Sequence, residues 1–213
     1  MELLQLFDEN KNMLNESIER DKKKELPEGK YFMIILLFIE NNNKFLIQKT
    51  SVNRESEYAT TGGHVTYGDT AIKTVIKEAY EELGLVLEEN EIKEIETVTH
   101  NKAHVGIYYC NKEIDIDKLT IQEEEVDSLY WMSIDEINEL IKEDKFRKSN
   151  IKALEKVLEK TRWEKKRKTK IMEILDLYDK NLKRINKTII RRVDEIPTDS
   201  YIMLSYALII NTF

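Results

Sequence analysis

Cysteine is nearly missing from this chain of 213 residues: Cys110 stands alone, which excludes an internal disulfide and suits a reducing compartment. Long apolar runs are missing too. The longest, FMIILLFI and YIMLSYALII, fall far short of the roughly 20 residues a membrane helix needs. The opening MELLQLFDEN has neither the basic region nor the apolar core of a secretory signal. A soluble, cytoplasmic protein with no membrane partner is expected. Net positive charge is also lacking, since 34 Lys and Arg stand against 41 Asp and Glu, for a net −7. That balance argues against a nucleic-acid partner, because phosphate backbones attract basic surfaces. An acidic protein that handles an anionic substrate needs metal ions to hold it.

What is present is 41% hydrophobic and 35% charged residues, enough for one sizeable core and part of a second. The first twenty residues read as a hairpin, with apolar segments at Leu3–Phe7 and Met13–Ile18 flanking DENKN. A second hairpin joins YFMIILLFIE to KFLIQK, and its unbroken apolar run suggests a strand buried on both faces. The stretch YATTGGHVTYGD follows, and its adjacent glycines allow a close backbone approach. Asp69 is the expected N-cap of a helix whose apolar stripe is Ile72, Val75, Ile76, Ala79, Tyr80 and Leu83, closed by Gly84. Further strands are expected near Ile92–Thr99, His104–Cys110 and Ser128–Met132, and a capping box at Ser133–Glu136 opens another helix. Mixed rather than strictly alternating elements favour an α/β or α+β sandwich. Residues 144–171 read as a charged helical linker.

The tail echoes the beginning of the chain. Met1, Glu2, Leu4, Leu6, Asp8, Asn10, Asn15, Ile18 and Arg20 match Met172, Glu173, Leu175, Leu177, Asp179, Asn181, Asn186, Ile189 and Arg191. After a one-residue gap, Glu25, Pro27, Tyr31, Met33, Ile39 and Asn41 match Glu195, Pro197, Tyr201, Met203, Ile209 and Asn211. Ordered matches with a single gap indicate duplication. Residues 1–143 are thus expected to form a complete domain and 172–213 the opening of a second. The chain is then either a truncated tandem or one that uses the extra strands for pairing; because an apolar strand left uncovered is a liability, homodimerisation or packing on the first domain is the favoured expectation.

KEAYEELGL, Lys77–Leu85, gathers three glutamates near a helix C-terminus. Glu78 and Glu82 form an i,i+4 like-charge pair, unfavourable by about 0.2–0.5 kcal/mol. The helix dipole disfavours each carboxylate there by about 0.3–1 kcal/mol. A divalent cation converts that repulsion into binding, and Mg²⁺ bridges carboxylates to phosphate oxygens. A solvated acidic face is the competing interpretation.

From Gly63 the chain runs glycine, five residues, Asp69, seven residues, then Lys77, Glu78, Ala79, Tyr80, Glu81, Glu82, Leu83, Gly84, Leu85. This resembles the Nudix box, G-x5-E-x7-R-E-U-x-E-E-x-G-U with U aliphatic, departing from it at Asp69 and Lys77. The lead-in hairpin, LPEGKYFMIILLFI, FLIQK, ATTGGH and LYWMSIDEI are similar to the Nudix branch related to isopentenyl-diphosphate isomerase. The resemblance implies an α/β/α sandwich with a mixed sheet and Mg²⁺- or Mn²⁺-dependent cleavage of a diphosphate bond in a nucleoside diphosphate-linked or related compound. Glu78, Glu81, Glu82 and the Gly62 carbonyl would be metal ligands, with Glu81 the first choice as base. Glu124 and Glu125, in QEEEV, are candidates for a further ligand or base from a later loop. Lys49, Arg54 and His64 are candidate phosphate contacts, while Tyr58 and Trp131 either line the pocket or pack in the core. The isomerase uses a cysteine ahead of its helix, where TTGGH has none. A non-catalytic nucleotide-sensing module is the other alternative.

Overall fold

Tyr31–Asn41, strand β3, is the axis of the first of two compact units, Met1–Lys160 and Thr161–Phe213. The computed structural model describes residues 2–54, 56–171, 174–190 and 201–202. Both faces of β3 are buried, with Met33, Ile35, Leu37 and Ile39 on one and Leu36 and Phe38 on the other. Side chains alternate along a strand, so an uninterrupted apolar run is what double coverage requires. Each large aliphatic side chain contributes roughly 1.5–3 kcal/mol on full burial.

Three strands share one edge of β3. β1 (Leu3–Phe7) pairs with its start. β4 (Lys44–Thr50) pairs with its end, and β6 (Thr61–His64) with Ile34–Leu37 between them. The opposite edge pairs in parallel with β8 (Ala103–Asn111). Antiparallel neighbours extend the sheet outward: β2 (Met13–Glu19) beside β1, and β7 (Ile92–His100) beside β8. β5 (Tyr58–Ala59) and β9 (Val126–Met132) flank β4. The outcome is a nine-stranded mixed sheet.

Helix α1 (Ala71–Leu83) covers the Ile35 face through Val75, Ala79 and Leu83. α2 (Ile134–Lys142) and the start of α3 (Lys148–Ile171) cover the Phe38 face through Ile137, Ala153, Leu154 and Val157. The first unit is therefore the expected α/β/α sandwich. Ser133 and Glu136 cap α2 reciprocally, as the sequence indicates. The boundary expected at residue 143 falls too early, because the unit continues to Lys160. Ala153, Leu154 and Val157 form a narrow apolar seam on α3, which the surrounding lysines and glutamates disguise as a solvated linker.

The second unit has a three-stranded sheet in the order β11-β10-β12, from β10 (Ile174–Tyr178), β11 (Arg184–Ile190) and β12 (Tyr201–Ile202). Its register repeats that of the first three strands. Leu4 faces Ile18 and Leu175 faces Ile189; Phe7 faces Met13 and Tyr178 faces Arg184, each pair beside a bulge. Phe7 meets Tyr31 as Tyr178 meets Tyr201. The turns match as well. Asp8 Oδ1 accepts from the backbone N–H groups of Asn10 and Asn12, and Asp179 Oδ1 accepts from those of Asn181 and Lys183. Lys11 and Leu182 both take positive φ, 68° and 62°. The repeat positions Met172, Glu173, Arg191, Glu195, Pro197, Met203, Ile209 and Asn211 lie outside the described residues.

Candidate active site

The glutamates are held by both ends of α1. Thr70, not Asp69, caps its N-terminus by accepting from Lys73 N–H. Asp69 Oδ2 instead accepts from Thr66 Oγ1 at 2.7 Å, which draws the acid back into the loop. At the other end Gly84 takes φ 64°, a left-handed cap in which a side chain would be strained. The carbonyls of Glu82 and Leu83 accept from the backbone N–H groups of Gln122 and Thr120, each at 3.1 Å. These bonds satisfy orphan carbonyls of the last turn and fasten the QEEEV loop beside the glutamates.

The carboxylates do not form a solvated face. Glu82 is 4% exposed, Glu78 is half-buried and Glu81 is exposed. Tyr80, read from sequence as part of the apolar stripe, points outward at 61% exposure. Gln48 Nε2 donates to Glu82 Oε2 at 3.3 Å, and Gln48 Oε1 accepts from Thr61 Oγ1. Burial and the neighbouring Glu78 push the Glu82 carboxyl up to about 8. Burial, then Glu81, Glu125 and Glu2, push Glu78 up to about 7. These are the shifts expected of acids crowded together with little water.

A cleft of about 350 Å³ opens at this point. Lys77, Glu78 and Glu81 line it from α1, Ile34 and Leu36 from the opposite face of the sheet, and Gly62, Gly63 and His64 from β6 between. A Cβ on Gly63 would stand 1.8 Å from Glu78 Oε1, and one on Gly62 would stand 2.4 Å from the Ile35 carbonyl oxygen. The glycine pair therefore makes room for a carboxylate on one side and for the packed backbone of β3 on the other. Gln122, Glu125, Arg147 and Asn150 also line the cleft. Asn150 is buried, and its Oδ1 accepts from Thr60 N–H at 2.9 Å.

Of the residues expected from sequence, the cleft gathers Glu78, Glu81, Gly62, His64 and Glu125, with Glu82 bonded just behind them. Lys49 is not in the lining. Gln48 turns toward Glu82, so strand alternation sends Lys49 to the other face, where its Nζ lies 3.8 Å from Asp127 Oδ2. Glu124 does not line the cleft either, and its carbonyl accepts from Ser51 Oγ at 2.7 Å. The Arg54 side chain lies outside what the structure describes. Tyr58 and Trp131 pack against the two cores. His104 is fully buried, with Thr99 Oγ1 and the Asp8 carbonyl each 2.8 Å from a ring nitrogen. Sequence reasoning missed Glu2, Arg20, Gln48, Gln122, Arg147 and Asn150. Arg20 and Arg147 carried a weak signal as parts of charged runs; Glu2 and Gln48 carried none.

The donor set suits a hard divalent cation: Glu78 and Glu81 line the cleft, and Glu82 lies close enough to Glu78 for the two carboxylates to repel. Among the described residues no three acidic, histidine or cysteine side chains already enclose an ion. Cys110 is buried in the core beside α1, is not part of the cleft lining, and has its thiol pushed up to about 11 by burial.

The family model described as the NUDIX domain matches residues 30–156. Nudix hydrolase 3 of Caenorhabditis elegans is 26% identical over 113 residues, 49% of this chain and 47% of that protein. The chain thus spans about half the length of this curated relative. The crystal structure of DR0079 from Deinococcus radiodurans shares the fold, with TM-score 0.57 and 17% identity over 72% of this chain and 96% of that one. So does the Nudix domain of Shewanella oneidensis NrtR, complexed with ADP ribose, with TM-score 0.52 and 13% identity over 68% of this chain and 99% of that one. A domain model that covers more than half of the sequence, with the box residues Glu78 and Glu81 lining one cleft, places this chain in the Nudix family.

Proposed function

We propose that the chain is a hydrolase that cleaves a diphosphate bond in a nucleoside diphosphate-linked or related compound, with Mg²⁺ or Mn²⁺ as cofactor. The observation that carries this reading is the pairing of half-buried Glu78 with buried Glu82, whose repulsion burial intensifies and a cation relieves. Glu78, Glu81 and Glu82, with the Gly62 carbonyl, would hold the metal. When bound, such an ion would neutralise charge on the diphosphate and lower the pKa of a water. Glu81, the exposed carboxylate of the three, would be the base for the attacking water. Glu125, brought alongside by the loop bonds to α1, is the second choice. Lys77 and Arg147 also line the cleft, Arg147 with its Nε 3.0 Å from Glu57 Oε2. An ADP-ribose-like compound, as bound by the NrtR domain, belongs to the proposed substrate class. The burial of Cys110 weighs against the isomerase alternative.

Release of phosphorylated product from nucleotide sugars, dinucleoside polyphosphates, ADP-ribose and nucleoside triphosphates, with and without Mg²⁺ or Mn²⁺, tests the reading. Metal-dependent turnover is expected. Nucleotide binding without turnover would favour a sensing module.

We also infer that residues 172–213 are a partial copy of the N-terminal hairpin and first strand, a reading supported by the matching register and turn bonds. Strands with open edges seek partners, so the copy is proposed to mediate a homodimer. Sedimentation of the full chain should give a dimer; a monomer with a protease-sensitive tail would overturn it.

A further inference from the structure

The N-terminal hairpin brings positive charge to a cleft rich in carboxylates. β2 ends at Glu19, and a 3-10 helix over Arg20–Glu25 follows. Arg20 lines the cleft. Its Nη1 donates to Glu2 Oε2 at 2.5 Å, and its backbone N–H donates to the Glu2 carbonyl at 3.0 Å. Glu2 is itself near enough to Glu78 for the two carboxylates to repel. Lys23 Nζ lies 3.3 Å from Nε2 of His64, which also lines the cleft. An ammonium in that position makes Nε2 the acceptor and leaves the imidazole a donor at Nδ1.

Arg20 and Glu2 are about one-third exposed, and ion pairs that open to water are worth little. A phosphate can therefore displace Glu2 at small loss and gain the two-pronged contact that a guanidinium makes.

We propose that Arg20 and the His64–Lys23 pair form an anion subsite for the phosphoryl group of a diphosphate substrate that is not held at Glu78, Glu81 and Glu82. Glu2 is a competitor that yields Arg20 when substrate enters. The chemistry at the neighbouring phosphoryl group rests on the hydrolase reading above; the binding does not. Among the described residues lining the cleft, His64 carries the only aromatic ring. The site accordingly selects small, phosphate-rich diphosphates by charge rather than by stacking on a base.

The test is calorimetric titration of inorganic pyrophosphate into the full chain with Mg²⁺ present. Wild type, Arg20→Gln, Lys23→Gln and Glu2→Gln are compared, with thermal melting as the check on folding. Arg20→Gln should bind about tenfold or more weakly, Lys23→Gln more weakly, and Glu2→Gln about threefold more tightly because Arg20 is freed. In turnover assays KM should move in the same directions. A purely structural ion pair would make Arg20→Gln and Glu2→Gln alike. That result, or wild type failing to bind pyrophosphate, overturns the subsite. Opposite shifts in binding without turnover of any diphosphate would uphold the subsite and refute the hydrolase reading alone.

Discussion

Glu78 occupies the space a side chain on Gly63 would need, its Oε1 lying 1.8 Å from where that Cβ would stand. The neighbouring glycine is needed for a different reason, since a Cβ on Gly62 would stand 2.4 Å from the Ile35 carbonyl. The two substitutions should therefore fail differently. Gly63→Ala displaces a side chain that can swing away, so it should lower turnover at least about tenfold with little loss of stability. Gly62→Ala pushes on backbone and should destabilise by about 1–3 kcal/mol. Denaturant melts and initial rates on the same preparations separate the two.

Glu82→Gln should lower turnover by about two orders of magnitude or more while the circular dichroism spectrum stays unchanged. Gln48 Nε2 can still donate to the new amide oxygen. A variant that retains wild-type rates would show that these carboxylates are not the working cluster.

The pH dependence of stability follows from the same pair. Both carboxyls are raised in the folded state, to about 7 and about 8 from 4.5, so between those values the folded chain binds more protons than the unfolded one. Stability is then greatest below about pH 4.5 as far as these groups are concerned, and falls as pH rises to about 8, by about 1.4 kcal/mol per proton per pH unit. Urea melts without metal should show this decline, Glu82→Gln should flatten it, and millimolar Mg²⁺ should restore stability at pH 8.

The polar cleft lining predicts indifference to the base. Compounds that differ only in nucleobase should have KM values within about tenfold of one another, because the stacking that base recognition exploits is missing from the described lining. Replacing the diphosphate by a monophosphate should abolish turnover. A strict base preference would place an unrecognised contact outside the cleft.

Much of the framework was legible because it is periodic. The unbroken run of β3, the capping box at Ser133–Glu136 and the glycine–glutamate spacing of α1 each reflect a local rule, and each appears where that rule puts it. The site was legible only in part. Glu78, Glu81 and Glu82 stood out as repelling charges, but the burial of Glu82 depends on Gln48 from a distant strand. Arg20 and Glu2 meet only because β1 and β2 pair, and Asn150 reaches the cleft through Thr60, ninety positions away. Such contacts follow from topology, which local pattern does not encode. The seam of Ala153, Leu154 and Val157 was hidden by charge on the remaining faces of α3.

The central claim is that the crowded carboxylates are a metal site, and Mg²⁺ binding at pH 7 tests it most directly. Calorimetry in two buffers of different ionisation enthalpy counts the protons released. Metal displacing protons from groups at about 7 and about 8 should release on the order of one proton per ion, and Glu82→Gln should lose most of the release and weaken binding. Binding without proton release, or no binding at all, would contradict the account.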